Sequence, residues 1–259
     1  MDYPVQYPLI VFALSFITLW LSAWIGWSFR KQRPLDAEMR EDFGFILAAT
    51  LTLLGLIIGF SFSMATSRYD QRKNYEEAEA NAIGTEYVRA DLLPAADATK
   101  VRALLRDYLD QRVLLYSTRL YSTHAAQEIR QINARTAQLQ SELWAAVRTP
   151  AATQPTPAVA LAVSGMNDVL NSQGYTQAAW WNRIPTAAWV LMAVIAVCCN
   201  VLLGYGARNI KAGSELLLVL PLVVSISFFL IADIDSPRGG VIRVNPENLV
   251  SLVESLRAR

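Results

Sequence analysis

The feature that most constrains this chain is a set of four long apolar stretches, at residues 8–29, 43–65, 185–206 and 216–232. An α-helix needs about 20 mainly apolar residues to cross the ~30 Å hydrocarbon core of a bilayer, and each stretch approaches that length. Any one stretch alone could be a buried helix of a soluble domain, but soluble domains rarely contain four. The sequence therefore predicts an all-α integral membrane protein with four transmembrane helices.

The first stretch is not typical of a cleaved signal peptide. The residues before it include Asp2 and neither lysine nor arginine, and its apolar run is longer than the hydrophobic region of a signal. We expect a retained first helix, so that residues 1–65 hold the first two spans and residues 185–232 hold the last two.

The segment between the second and third spans, residues 66–184, predicts a helical extramembrane domain. It is rich in Ala, Glu, Gln, Arg and Leu and almost free of glycine. The second span continues into it without a turn signal as far as Pro94, which predicts one helix from about residue 42 to 93, ~75 Å long. An apolar stripe over residues 101–147 recurs at steps of three and four and needs a partner, for which residues 158–171 are suited. The proline-rich segment 149–157 predicts a tether that interrupts the helices, giving a hairpin or small bundle.

The carboxyl-terminal segment, residues 233–259, predicts a turn followed by an amphipathic helix. Asn245 is suited to cap this helix and Pro246 to its first position. Leu249, Leu252 and Leu256 form one apolar face, which predicts that the tail docks on another part of the protein.

Several function classes are disfavoured by composition. The formal net charge is +1 and no basic run is interleaved with aromatic residues, so no nucleic-acid partner is predicted. His124 is the only histidine, and no catalytic or phosphate-binding motif is present, which predicts neither an enzyme nor a cofactor. Charged residues are nearly absent from the spans, which disfavours a proton-coupled transporter.

Two carboxylates, Asp233 and Asp235, end the last span. Calcium takes six to eight oxygen ligands, so two carboxylates would need further ligands from elsewhere. We expect them instead to cap backbone amides or to pair with Arg68, Arg72 or Arg238, and we predict no metal; calcium is the alternative.

The second span carries one face with an unusual composition. Thr52, Leu56, Phe60 and Ser63 share this face at three- and four-residue steps, and Ser67, Arg68 and Arg72 follow. Gly55 and Gly59 form a G-x-x-x-G pattern, which permits close helix packing. The residues alone leave two interpretations open, a pore-lining face and a packing face whose hydroxyl groups bond to their own helix.

Sequence motifs relate the chain to a known family. The run GFSFSMATSRYDQR resembles the second transmembrane helix of bestrophin anion channels. The match is closer to the bacterial bestrophin-like domain family, through Asp42, Gly44 and Phe45, the run E-A-N-A at residues 79–82, and the D-x-P-x-x-G-x-x-R-V pattern that begins at Asp235. The resemblance extends from about residue 42 to the end of the chain.

The resemblance implies an ion channel in the cell inner membrane, assembled as a homo-oligomer, by analogy a pentamer, whose partners are membrane lipid, ions and other copies of itself. It implies that second helices surround the pore, with a neck at Thr52, Leu56, Phe60 and Ser63. The predicted vestibule consists of Ser67, Arg68, Arg72, Glu76 and Glu79. The predicted turn after the last span is a separate site, which consists of Asp233, Asp235, Pro237 and Arg243. Anion conduction follows from the resemblance only. The alternative is a non-conducting sensor or scaffold whose helical domain binds a partner or ligand.

The side of the membrane that carries the helical domain is predicted differently by charge and by resemblance. Arg30, Lys31, Arg33 and Arg40 crowd the first connection, and Arg208 and Lys211 lie in the last. By the positive-inside rule both short connections are cytoplasmic and the helical domain is outside. Bestrophins keep the corresponding insertion in the cytoplasm, so the resemblance implies the opposite orientation.

Overall fold

The structure, a computed structural model, describes residues 7–32, 36, 39–118, 125–207 and 215–258. Within these ranges the regular structure is helical and no strand occurs. Four helical segments are long and apolar enough to cross a membrane, which confirms the prediction of an all-α, multi-pass membrane protein. The α-helices are α1 (Pro8–Gln32), α2 (Met39–Arg89), α3 (Ala95–Ser117), α4 (Ala125–Thr153), α5 (Pro157–Trp181), α6 (Thr186–Gly206), α7 (Leu216–Asp235) and α8 (Glu247–Arg257).

The chain divides into two compact units. The first comprises Met1–Arg68 and Arg183–Ile242, and the second comprises Tyr69–Asn182 and Arg243–Arg259. The helix α2 contributes its first part to one unit and its second part to the other. It spans 51 residues, or ~77 Å at 1.5 Å per residue, as the absence of a turn signal predicted.

In the first unit, α1 packs against α6 and α7. A close approach lies at Gly26 of α1 and Gly204 of α6. A Cβ atom at Gly26 would lie 2.0 Å from the carbonyl oxygen of Val201, and one at Gly204 would lie 1.9 Å from that of Ala23. The two backbones meet directly, because only glycine leaves room for this crossing.

The carboxyl end of α6 is completed by a side chain of α1. Arg30 donates through Nη1 to the carbonyl oxygens of Tyr205 and Gly206, at 2.9 and 2.7 Å. The last carbonyls of an α-helix generally lack partners within the helix, and a cation at a helix carboxyl end is also favoured by the helix dipole. Arg30 therefore joins α1 to α6 a short distance from the glycine crossing.

The second unit is a bundle of α3, α4, α5, α8 and the second part of α2. Its core is apolar and its helices bury one stripe each. Representative fully buried members are Ile83, Val101, Leu105, Leu109, Leu139, Leu143, Val147, Met166, Val169 and Leu249.

Three predicted helix boundaries in the second unit were wrong. The apolar stripe over residues 101–147 belongs to two helices, α3 and α4, which pack on each other. Helix α4 continues through Pro150 to Thr153, so the interruption is three residues long rather than the predicted 149–157. One proline removes a single backbone hydrogen bond, and the buried Pro150 adds to the apolar face that holds this last turn. Helix α8 begins at Glu247 with Pro246 at its cap position, so Asn245 is not the cap.

Some residues singled out in the sequence lie outside the described ranges. These are Asp2, the lone histidine and three cations of the short connections, namely His124, Arg33, Arg208 and Lys211.

Candidate functional site

The predicted neck residues lie on an uncovered face of α2. Leu56 and Phe60 are 52 % and 61 % exposed, and Thr52 and Ser63 are also exposed. Thr52 donates to the carbonyl oxygen of Ala48 at 2.8 Å, the local bond expected of a hydroxyl inside a helix. No residue in the described part of the chain packs over this face.

The opposite face of the same helix segment is the one that the chain covers. Leu54, Ser61 and Ala65 are buried at steps of seven and four residues. Each lies two positions from a member of the neck face, which places the two stripes about 200° apart on the helix. A Cβ atom at Gly55 or Gly59 would meet nothing within 4 Å in the described structure, so the G-x-x-x-G pattern makes no close packing inside the chain.

The residues predicted to form a vestibule occupy different environments. Ser67 is exposed, as that prediction requires. Arg68 is partly buried, and its Nη1 lies 3.8 Å from Oδ1 of Asp235. Arg72, Glu76 and Glu79 are 3 %, 1 % and 0 % exposed, which differs from side chains facing an aqueous vestibule. Spacing along α2 gives the face that these residues share but not the neighbours that bury it, and their place in a vestibule stays a prediction.

Glu79 anchors a buried polar network. Its carboxylate pairs with Arg112 of α3 and accepts a hydrogen bond from Thr176 of α5, at 3.2 Å. Burial lowers the pKa of Arg112, but Glu79, Tyr108 and Tyr116 together outweigh burial, and the pKa lies above its ordinary value. Burial raises the pKa values of Tyr108 and Tyr116, and the nearby Glu79 carboxylate raises them further. The network joins α2, α3 and α5.

Glu76 holds the amino end of α8. Its Oε1 accepts from the backbone nitrogen of Leu249 at 3.0 Å, and its Oε2 accepts from Nδ2 of Asn248 at 2.6 Å. The first N–H groups of a helix lack partners in their own helix, and a carboxylate placed there also suits the helix dipole. Glu76 thus supplies the cap that was predicted for Asn245. With Leu249 and Leu256 buried, the tail docks on the helical unit, as its apolar stripe predicted.

No sequence signal identifies this role of Glu76. The carboxylate of Glu76 lies 172 and 173 positions from its two donors, the Asn248 side chain and the Leu249 backbone N–H, and capping patterns are recognised only over a few residues.

Asp233 and Asp235 organise the turn after the last span. Both are 2 % exposed. Asp233 accepts from the backbone nitrogens of Val241 and Ile242, at 2.8 and 2.7 Å. Asp235 accepts from the backbone nitrogen of Ile184 at 3.2 Å through both oxygens and faces Arg68. This confirms the expectation of capping and ion pairing.

The rest of the turn fits closely around Asp233. A Cβ atom at Gly240 would lie 2.5 Å from the carbonyl oxygen of Asp233, so this position requires glycine. Pro237 and Arg243 are partly buried. In the described residues, no group of three or more His, Cys, Asp or Glu side chains is placed to hold a metal ion.

Comparison with solved structures shows the same fold. A bacterial bestrophin homologue from Klebsiella pneumoniae is similar at a TM-score of 0.64 and 12 % identity, with 96 % of this chain and 97 % of that chain covered. Two point variants of a Klebsiella pneumoniae bestrophin homologue are similar at TM-scores of 0.61 and 13 % identity. One of these comparisons covers 97 % of this chain and 98 % of that one, and the other 100 % and 97 %.

Sequence comparison gives the family. No curated protein sequence matches the chain. The model of the Bestrophin-like domain matches residues 12–249, which includes most of α1, the other three apolar helices, the uncovered face of α2 and the aspartate turn. The chain therefore belongs to the bestrophin-like family.

Proposed function

We propose that this protein is an oligomeric ion channel in which the uncovered face of α2 lines the pore, with a hydrophobic neck at Leu56 and Phe60. The observation that carries this proposal is the position of the neck residues: in a channel-type membrane fold, they occupy the face of α2 that the chain itself leaves open. A pore formed between copies requires such a face, and apolar constrictions hold back ions by excluding water.

Anion conduction is proposed from family membership alone. The partly buried Arg68 faces Asp235, and the buried Arg72, Glu76 and Glu79 belong to the helical unit, so these side chains do not indicate the sign of the ion. Thr52, Ser63 and Ser67 place hydroxyl groups along the exposed face, which suit a hydrated ion of either sign. The pentameric state and the bacterial inner membrane are likewise proposed by analogy with the family.

The neck is tested by the double variant Leu56→Ala/Phe60→Ala in liposomes. Smaller side chains widen and wet the constriction, so we expect chloride flux at least several-fold above that of the wild type. The matched control is Leu14→Ala/Phe29→Ala on α1, which makes the same two truncations at side chains that are both 56 % exposed. Its flux should equal that of the wild type. Potassium flux measured on the same vesicles tests the proposed anion preference.

The result also separates the channel from a non-conducting sensor or scaffold. If the wild type and both double variants pass neither chloride nor potassium above empty liposomes, the channel proposal fails and the alternative takes its place. If the neck variant melts at a lower temperature and its flux is unchanged, this face packs against another copy, and α2 is not the pore. We propose that the protein has no enzymatic activity, in line with the absence of a catalytic constellation in the sequence.

The orientation in the membrane is tested at the break between α4 and α5. Gln154, Pro155 and Thr156 are exposed and lie outside both helices, which makes them suited to an insertion. A reporter enzyme that is active only in the periplasm, inserted at Pro155, should be active if the arginine-rich first connection is cytoplasmic. Activity of a cytoplasmic reporter there would instead give the orientation that the family implies.

A further inference from the structure

Glu86 is a buried carboxyl group in the second unit that the proposed channel does not use. It lies on the second part of α2, is 0 % exposed, and neither of its oxygens has a hydrogen-bond partner in the described structure. A buried carboxylate without hydrogen bonds is strongly disfavoured, whereas a neutral carboxyl group costs much less to bury.

The space around Glu86 is set by a glycine on α5. A Cβ atom at Gly165 would lie 2.1 Å from Oε2 of Glu86 and 2.6 Å from Nη1 of Arg89. Any larger residue at this position would collide with the carboxyl group. Helix α5 therefore rests directly on Glu86, and the charge state of this group acts on the contact between α2 and α5.

Two charged side chains act on Glu86. Arg89 lies three residues later on the same helix, and Asp168 lies three residues after Gly165 on α5. Nη1 of Arg89 is 3.9 Å from Oδ2 of Asp168, which forms a partly exposed ion pair between the two helices. The burial of Glu86 raises its pKa to about 8, Arg89 lowers the pKa, and Asp168 raises it.

We propose that Glu86 is a proton-binding site that controls how α5 rests on α2. The neutral carboxyl group fits the dry space opposite Gly165 and leaves Arg89 to pair with Asp168. When the proton leaves to solvent, the carboxylate attracts Arg89, because the two side chains are neighbours on one helix. Arg89 then leaves Asp168, and the ion pair between α2 and α5 is lost. The helical unit is tight with Glu86 protonated and loosens when Glu86 is ionised.

The expected pH dependence has a definite sign. The ordinary pKa of a glutamate is 4.5 and that of folded Glu86 is about 8, so the folded chain binds more protons than the unfolded chain between these values. The stability due to this group is fully present below about pH 4.5 and is lost as the pH rises through about 8.

The first test is thermal unfolding of the full chain in detergent between about pH 6 and about pH 9. We expect the Tm of the wild type to fall by roughly 5–10 °C over this range, since about 1 kcal/mol corresponds to about 2–4 °C in a chain of this size. Glu86→Gln keeps the shape and stays neutral, so its Tm should change much less. Glu77→Gln makes the same substitution at an exposed position of the same helix and should retain the dependence of the wild type.

The second test observes the proton itself. Infrared difference spectra of the wild type across the same pH range should show the loss of one carboxylic-acid carbonyl band that is absent from Glu86→Gln and present in Glu77→Gln. If the wild type and Glu86→Gln show the same dependence of Tm on pH, or if that band persists in Glu86→Gln, Glu86 is not the proton site and the proposal is overturned. Both readouts are independent of ion flux, so they stand whether or not the protein conducts.

Discussion

The two parts of α2 reverse the usual distribution of residues between inside and outside. In the apolar part, large side chains such as Leu56 and Phe60 are exposed, and 6 % of the apolar window is buried, against 44 % for that of α7. In the polar part, the carboxyl side chains of Glu76, Glu79 and Glu86 are buried. Both parts are equally helical, so local propensity does not decide what each face contacts.

The difference shows which part of α2 finds its packing and hydrogen-bond partners within one chain. The polar part finds its partners internally: Arg112 and Thr176 for Glu79, and the amino end of α8 for Glu76. The neck face of the apolar part is not covered in the described chain, and its exposed side chains are compatible with lipid or with other copies.

The largest effect is expected from Arg112→Ala in the polar part. Removing one partner of a buried ion pair leaves the Glu79 charge uncompensated, at a cost of about 3–5 kcal/mol. The free energy of unfolding, measured with denaturant in detergent, should fall by that amount. The control is Arg135→Ala on α4, whose ion pairs with Asp107 and Glu142 are exposed and should contribute about 0–1 kcal/mol. Equal losses in both variants would show that the Glu79 network is not structural.

The next largest effect on stability is expected from glycine substitutions in the two kinds of environment. Gly26→Ala places a Cβ atom against the backbone of α6, and the helices must separate, at a cost of about 1–3 kcal/mol. Gly55→Ala on the uncovered face of α2 meets no described atom and should leave the Tm of the isolated protein unchanged or slightly higher, since alanine is the better helix former. A Tm that falls equally for both variants would mean that the face of α2 is packed in the protein as purified.

The sequence predicted the elements that depend on local pattern. Four spans, the unbroken α2 and the apolar stripe of α8 are all periodic features of neighbouring residues, and the structure confirms them. The carboxylates of Asp233 and Asp235 were also expected to cap or pair, because two oxygen donors one residue apart are too few for calcium.

The remaining features depend on contacts between distant residues. Glu76, Glu79 and Glu86 have the periodicity of a helix face, but nothing in their spacing shows whether that face meets water, α3, α5 or α8. The crossing of Gly26 with Gly204 is equally hidden, since a glycine in a span is compatible with a packing face, a lipid face or a pore. Pro150 shows the reverse case, where a strong local signal for a break was overridden by burial of the last turn of α4.

The smallest effect is expected at the cap that Glu76 provides for α8. Glu76→Ala removes the acceptor for Leu249 N–H, and loss of a helix cap costs about 0.5–2 kcal/mol. Because Leu249 and Leu256 still bury apolar surface, α8 should remain docked while its first turn frays. Amide hydrogen exchange over residues 247–252 should therefore rise, with little change over residues 253–257. Glu76→Gln retains an acceptor oxygen and should show a smaller rise, and Glu77→Ala, at an exposed neighbour, should show none. Exchange that rises evenly along α8 would mean that Glu76 holds the entire tail in place, so that the polar part of α2 would control the docking of the carboxyl terminus rather than only its first turn.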